Sequence, residues 1–273
     1  MAELESVGDE IATVSSLKGD FKRLGLSKGM TVIVHASLRS FGWVCGGPVS
    51  VILALEEVLG SEGTLVMPSH SYDVSDPANW ENPPVPSAWI ERIRNEMPLF
   101  HKDLTPTTSM GKIAETFRKQ DGVVRSSHPS SSFCARGRHK DYIVQDDKLD
   151  FSQNEQSPLG RFYELGGYIL LIGVAHEKNT SLHLAEYKAD YSGKKIIQEG
   201  YPCMENGKRV WKTASDIAYK SDDFPLIGYE YEAGGKVKKG YAGKALCRLI
   251  NQRDFVDFAV TWMERNRRAA DGL

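Results

Sequence analysis

Residues 168–186, YILLIGVAHEKNTSLHLAE, carry the reading of the fold. From 168 to 174 the chain is apolar without alternation and follows Gly166-Gly167, which predicts a strand covered on both faces, as at the centre of a parallel sheet. Gly173 loosens the strand end and 175–179 are turn-forming. Asn179, Thr180 or Ser181 then offers the side-chain oxygen that caps a helix starting near Thr180. On that helix His183 and Glu186 lie three residues apart and share a face, where a carboxylate orients or polarises an imidazole. Two readings stay open at this point: a catalytic dyad, or a helix-start histidine bonded to its own turn beside a solvated glutamate.

Working outward, 11–24 has helical spacing and stops at Gly25, and 30–35 is a β-branched buried strand. Gly46-Gly47-Pro48 opens a helix to Leu59, and 64–67 is a second short strand stopped by Pro68, so these pieces make a βαβ unit. Residues 69–87 form a long proline-bearing loop, 88–97 and 112–119 read as helices, and 131–135 as a short strand. Residues 157–165 are expected to be a short helix. Glu205-Asn206-Gly207-Lys208 forms a type I′ turn between 201–204 and 209–211, adding an antiparallel hairpin. The chain ends with a helix over 225–232, a strand over 245–250 and an amphipathic helix over 252–267.

These elements predict an α/β fold: a mainly parallel central sheet flanked by helices, with an antiparallel hairpin annex, in one domain spanning 1–273. With 41% hydrophobic residues the chain has material for a sizeable core. The formal charge of −2, with both signs interspersed, leaves no basic stripe for nucleic acid but is compatible with a cationic small molecule. Cys45, Cys134, Cys203 and Cys247 are scattered with no C-x-x-C, so neither a zinc knuckle nor a disulfide framework is indicated. The acidic start lacks the features of a signal peptide, and no apolar run approaches the roughly 18 residues of a membrane span. A cytoplasmic protein, monomer or homodimer, is the expectation. His176, His183 and Glu186 match no zinc-ligand spacing, so no metal is expected. His128, held extended by Pro129, is expected to shape a turn.

The segments LLIGV (170–174), NTSLHLAE (179–186), HASLRSFGW (35–43), GTLVMPS (63–69), RSSHPSSSFCARG (125–137) and CRLINQRDFVDFA (247–259) resemble the aminoglycoside 3-N-acetyltransferase family in order and spacing, over nearly the whole chain. The resemblance implies acetyl transfer from acetyl-coenzyme A to an amine of a cationic aminocyclitol antibiotic, with antibiotic resistance as the outcome. His183, oriented by Glu186, would be the general base. Two positions depart from the usual pattern: Ala36, where serine is common, and Cys45.

Ligands of open parallel sheets collect at the carboxyl ends of the strands, and no Walker A or G-x-G-x-x-G sequence follows them here. The turn after the first strand, with His35, Ser37, Leu38, Arg39 and Ser40, is therefore the candidate cofactor grip, offering N–H groups, hydroxyls and a guanidinium to the pantetheine and diphosphate. The resemblance adds Thr108, Ser109 and Met110, at a helix start; their plain alternative is a helix cap. A donor near these three is expected to face the oxyanion of the tetrahedral intermediate. Tyr72, Asp73 and Asp76, in a loop that also carries Trp80 and Glu81, set carboxylates beside aromatic faces and suit a polycation, and Glu115 is grouped with them. Three other readings remain: transfer to a different amine, a hydrolase using Ser37 or Ser181, and a non-catalytic binder of cationic ligands.

Overall fold

The computed structural model describes residues 11–81 and 83–267. Among these residues the strands are β1 (Thr31–Ala36), β2 (Thr64–Pro68), β3 (Val124–Arg125), β4 (Phe133–Gly137), β5 (Tyr168–Ile172), β6 (Ile196–Glu205), β7 (Lys208–Ile217), β8 (Lys238–Ala242) and β9 (Ala245–Asn251). Seven of them form one sheet in the order β3-β4-β2-β1-β5-β9-β8, and β6 and β7 pair separately. The centre is parallel, as expected. β1 lies between β2 and β5, with Ile33 opposite Val66 and Ile169, whereas β4 and β9 add antiparallel to β2 and β5.

The unalternating apolar runs are explained by which face each residue covers. Val32, Val34, Leu170 and Ile172 enter one core, while Ile33, Ile169 and Leu171 enter the other. The first core is closed by α1 (Val14–Leu24), α2 (Pro48–Leu59) and α4 (Gly111–Phe117), through side chains such as Phe21, Leu55 and Phe117. α3 (Ile90–Glu96) precedes α4 and buries none of its own residues. The second core is closed by α5 (Lys140–Val144), α6 (Pro158–Glu164), α7 (Ser181–Lys188), α8 (Phe224–Ala233) and α9 (Gln252–Asn266). Among the described residues no helix is long and apolar enough to cross a membrane.

Local chemistry sets the ends. Thr13 and Ser16 form a capping box on α1, and Gly25 ends it in the left-handed region at φ 112°. At the end of β5, Gly173 has φ 62°, and a side chain there would collide with Ser40, whose hydroxyl donates to the Gly173 carbonyl. α7 begins one residue after Thr180. Thr180 is itself helical, and the carboxamide oxygen of Asn179 accepts the Ser181 N–H at 3.2 Å. In the hairpin, Asn206 and Gly207 both have positive φ, 50° and 75°, the requirement of a type I′ turn. His128 shapes its turn from a buried position, where its Nδ1 accepts the Ser131 N–H at 3.0 Å.

Candidate active site

α7 presents His183 and Glu186 as one unit. His183 Nδ1 lies 2.7 Å from Glu186 Oε2, and the carboxylate is fully buried. Its other oxygen, Oε1, accepts from Arg267 Nη1 and from the Lys220 N–H, both at 2.8 Å. Arg267 is in turn held by both oxygens of Asp223, at 2.7 and 2.8 Å. A carboxylate so anchored presents an acceptor to Nδ1, which favours the tautomer with its proton on Nδ1 and its lone pair on Nε2. Nε2 has no hydrogen-bond partner among the described residues, and the ring packs between Tyr219 and Phe224, at 4.5 and 5.0 Å between centroids.

Two cavities adjoin here: His183 lines the first, and Tyr219, packed on its ring, lines the second. The first, about 420 Å³, opens at the carboxyl ends of β1, β2 and β5 and is lined by His35, Ser37, His70, Met110, Lys178 and His183 among others. His35 and His70 are buried with unpartnered Nε2 atoms, and burial, followed by the nearby His183, pushes each down to about 3, so both are neutral. The second cavity, about 580 Å³, lies between the loop after β2 and the hairpin. Asp73, Glu81, Glu199 and Asp216 line it together with Trp80, Tyr201 and Tyr219, and among the described residues no lysine or arginine does. Burial, with Asp76 and Asp216 nearby, raises Glu199, although a hydrogen bond from Asn79 works against this. Tyr72 and Ser109 line both cavities.

The loop after β2 is held by Arg125, whose guanidinium donates to the Ser69 and Thr105 carbonyls, both at 2.6 Å, and to Ser71 Oγ at 2.8 Å. Thr108 ties the same loop to the start of α4. Its N–H donates to the His70 carbonyl at 2.8 Å and its hydroxyl to Asp73 at 2.7 Å.

The residues singled out from sequence separate into groups. His35, Ser37, Tyr72, Ser109, Met110 and His183 share the first cavity, and Tyr72, Asp73, Thr108 and Ser109 share the second. Glu186 stands behind His183, fully buried rather than solvated. Leu38, Arg39 and Ser40 form a 3-10 turn outside both linings, with Leu38 against the first core and Arg39 exposed. Asp76 lies outside both linings too. It caps the Ala78 N–H and pairs with Arg94 through two contacts, at 2.8 and 3.0 Å. Glu115 is also elsewhere: burial alone would raise it, but Arg118, Lys119 and Thr107 hold it down to about 2. His176 pairs with Glu232 at 3.0 Å under α8, and among the described residues no group of three metal-ligating side chains occurs. Sequence reasoning passed over His70, Glu199, Asp216, Tyr219 and Arg267.

An anchored imidazole–carboxylate pair at the strand ends of an α/β fold, with His183 lining a mostly neutral cavity that adjoins an acidic one, is an arrangement suited to an enzyme of two substrates. Residues 33–264 match the family model described as aminoglycoside 3-N-acetyltransferase. The chain therefore belongs to the aminoglycoside 3-N-acetyltransferase family, a family of acyltransferases. It is 47% identical to the SPbeta prophage-derived aminoglycoside N(3')-acetyltransferase-like protein YokD of Bacillus subtilis, over 93% of each chain. It is 34% identical to aminoglycoside N(3)-acetyltransferase VII of Streptomyces paromomycinus, over 94% of this chain and 93% of that one. The YokD crystal structure matches with a TM-score of 0.93, at 45% identity over 97% of both chains. AAC-IIIb in its binary complex with CoASH matches at 0.84, with 29% identity over 96% of this chain and 100% of that one. AAC-VIa bound to sisomicin matches at 0.85, with 31% identity over 95% and 100%.

Proposed function

We propose that this chain transfers an acetyl group from acetyl-coenzyme A to the 3-amino group of an aminoglycoside, with His183 as general base and Glu186 as its orienting partner. The observation that carries this reading is the anchored His183–Glu186 pair, with His183 lining the first cavity and packed on Tyr219, which lines the second. The first cavity takes the acetyl-bearing arm of the donor, in keeping with the relative that holds CoASH. The second takes the polyamine. Four carboxylates with aromatic faces and no opposing cation attract ammonium groups, and a relative holds sisomicin.

The nucleophile is the free amine, because an ammonium has no lone pair: an alkyl ammonium, with a pKa of about 10.4, gives its extra proton to water before attack. Nitrogen becomes acidic as its lone pair bonds to the thioester carbonyl, and Nε2 of His183 takes the proton at that stage. Such assistance contributes about 10²–10⁴-fold. The four cysteines are free, which suits a reducing cytosol, and acetylation of the drug would give resistance.

The test is release of free thiol from acetyl-coenzyme A across a panel of amines. Release should depend on the amine and be fastest with aminoglycosides. Release at the same rate without amine would favour a hydrolase, and saturable binding without turnover a binding protein.

A further inference from the structure

Acyl transfer takes place where donor and acceptor meet, and the side chains common to both cavities are Tyr72 and Ser109. The neighbouring Thr108 is not available to the reacting atoms, because its N–H and its hydroxyl are already given to His70 and Asp73. Tyr72 is differently placed. Its phenol oxygen lies 2.9 Å from Nδ1 of His70, which is buried against Phe133.

The neutral His70 ring has one N–H to place. Nε2 is buried with no partner, and a buried N–H without an acceptor is rarer and costlier than an unused lone pair. The proton therefore sits on Nδ1 and is donated to the phenol oxygen. The phenol O–H is then left to donate to something else, at the junction of the two cavities.

We infer that Tyr72, positioned by His70, donates a hydrogen bond to the thioester carbonyl oxygen as that oxygen becomes the oxyanion of the tetrahedral intermediate. The inference rests on the acetyl-transfer reading. The amine lone pair forms the C–N bond, the carbonyl π pair moves to oxygen beneath the Tyr72 O–H, and His183 Nε2 takes the proton from nitrogen. The oxygen pair then re-forms C=O and the C–S pair departs with sulfur, which takes the proton back from the His183 imidazolium. Tyr72 keeps its own proton throughout. Burial pushes the Tyr72 phenol up to about 12, so it does not protonate a thiolate whose conjugate thiol sits near 8.5.

The test is steady-state kinetics on the full chain with acetyl-coenzyme A and an amine that the parent enzyme accepts. Tyr72→Phe should lower kcat by about 10²-fold, the loss typical of one oxyanion donor, with both KM values within about twofold and the shape of the pH–rate profile unchanged. His70→Leu should lower kcat by about tenfold, and His70→Asn, which retains an N–H near the Nδ1 position, should recover most of that loss. Parental kcat in Tyr72→Phe, or a loss confined to the KM of the amine, overturns the assignment while leaving acetyl transfer intact. A parent enzyme that releases no thiol with any amine overturns both.

Discussion

Glu186 does two jobs with its two oxygens, and their consequences separate under mutation. Oε2 holds the imidazole of His183, while Oε1 neutralises Arg267 inside the second core, where a charge without a partner is costly. His183→Ala removes the proposed base and leaves the Glu186–Arg267 pair in place. We expect amine-dependent transfer to fall by at least about 10²-fold with little change in the urea midpoint. Glu186→Gln should lose less activity, since it orients the base without transferring a proton. It should also lose stability, by about 3 kcal/mol, the low end for breaking a buried pair, because Asp223 still holds Arg267. Urea unfolding of the two variants against the parent decides the matter. A Glu186→Gln protein as stable as the parent would show that the buried pair contributes nothing.

The acidic cavity, the proposed acceptor site, is assembled from the loop after β2 on one side and the β6–β7 hairpin on the other. Glu199→Gln should therefore raise KM for a polycationic amine by about fivefold, equivalent to about 1 kcal/mol, and leave that for acetyl-coenzyme A unchanged. Asp76→Asn should leave both constants alone and lower the melting temperature, since it loosens the contact with Arg94. A rise in the amine constant with Asp76→Asn instead would put that carboxylate back among the acceptor ligands. These contrasts mark where the sequence could be read. β1, β2 and β5 were legible because burial on both faces leaves a plain apolar run, and the hairpin because Asn-Gly requires its turn. β3 has only two residues, and β8, KKGYA, is mostly polar and lies at the sheet edge, so neither carries a strand signal. The dyad was legible because its spacing is local. Arg267 lies 81 residues from Glu186, and Glu199 and Asp216 reach the cavity only when the hairpin docks, so no periodicity announces them. Asp76 and Glu115 sat in the expected stretches but were claimed by nearby arginines, a competition that composition does not reveal.

For the molecule as a whole, buried titratable groups set how stability responds to acid. His35 and His70 are pushed down to about 3 and His128 to about 4, in each case chiefly by burial, whereas an unfolded histidine titrates near 6.5. Between those values the unfolded chain binds protons that the folded chain refuses. The stability these groups contribute is thus complete above about pH 6.5 and is lost as pH falls, by up to about 1.4 kcal/mol per pH unit for each group. Asp147 works the other way. Burial raises it to about 6, against hydrogen bonds from Ser126 and the His128 N–H, so between about pH 4 and 6 the folded chain holds a proton that the unfolded chain has released. Among these four groups, one against three leaves a net uptake of about two protons on unfolding in that window, and His176, also lowered chiefly by burial, adds to it. Urea denaturation at pH 7.5, 6, 5 and 4.5 measures this uptake as the slope of unfolding free energy against pH, provided each transition remains two-state. His128→Gln should shallow the slope by about one proton and Asp147→Asn should steepen it by about one. A profile flat from pH 6.5 to 4.5 in the parent would mean that the folded protein protonates these histidines as readily as water does, and that the neutral first cavity described for it is wrong.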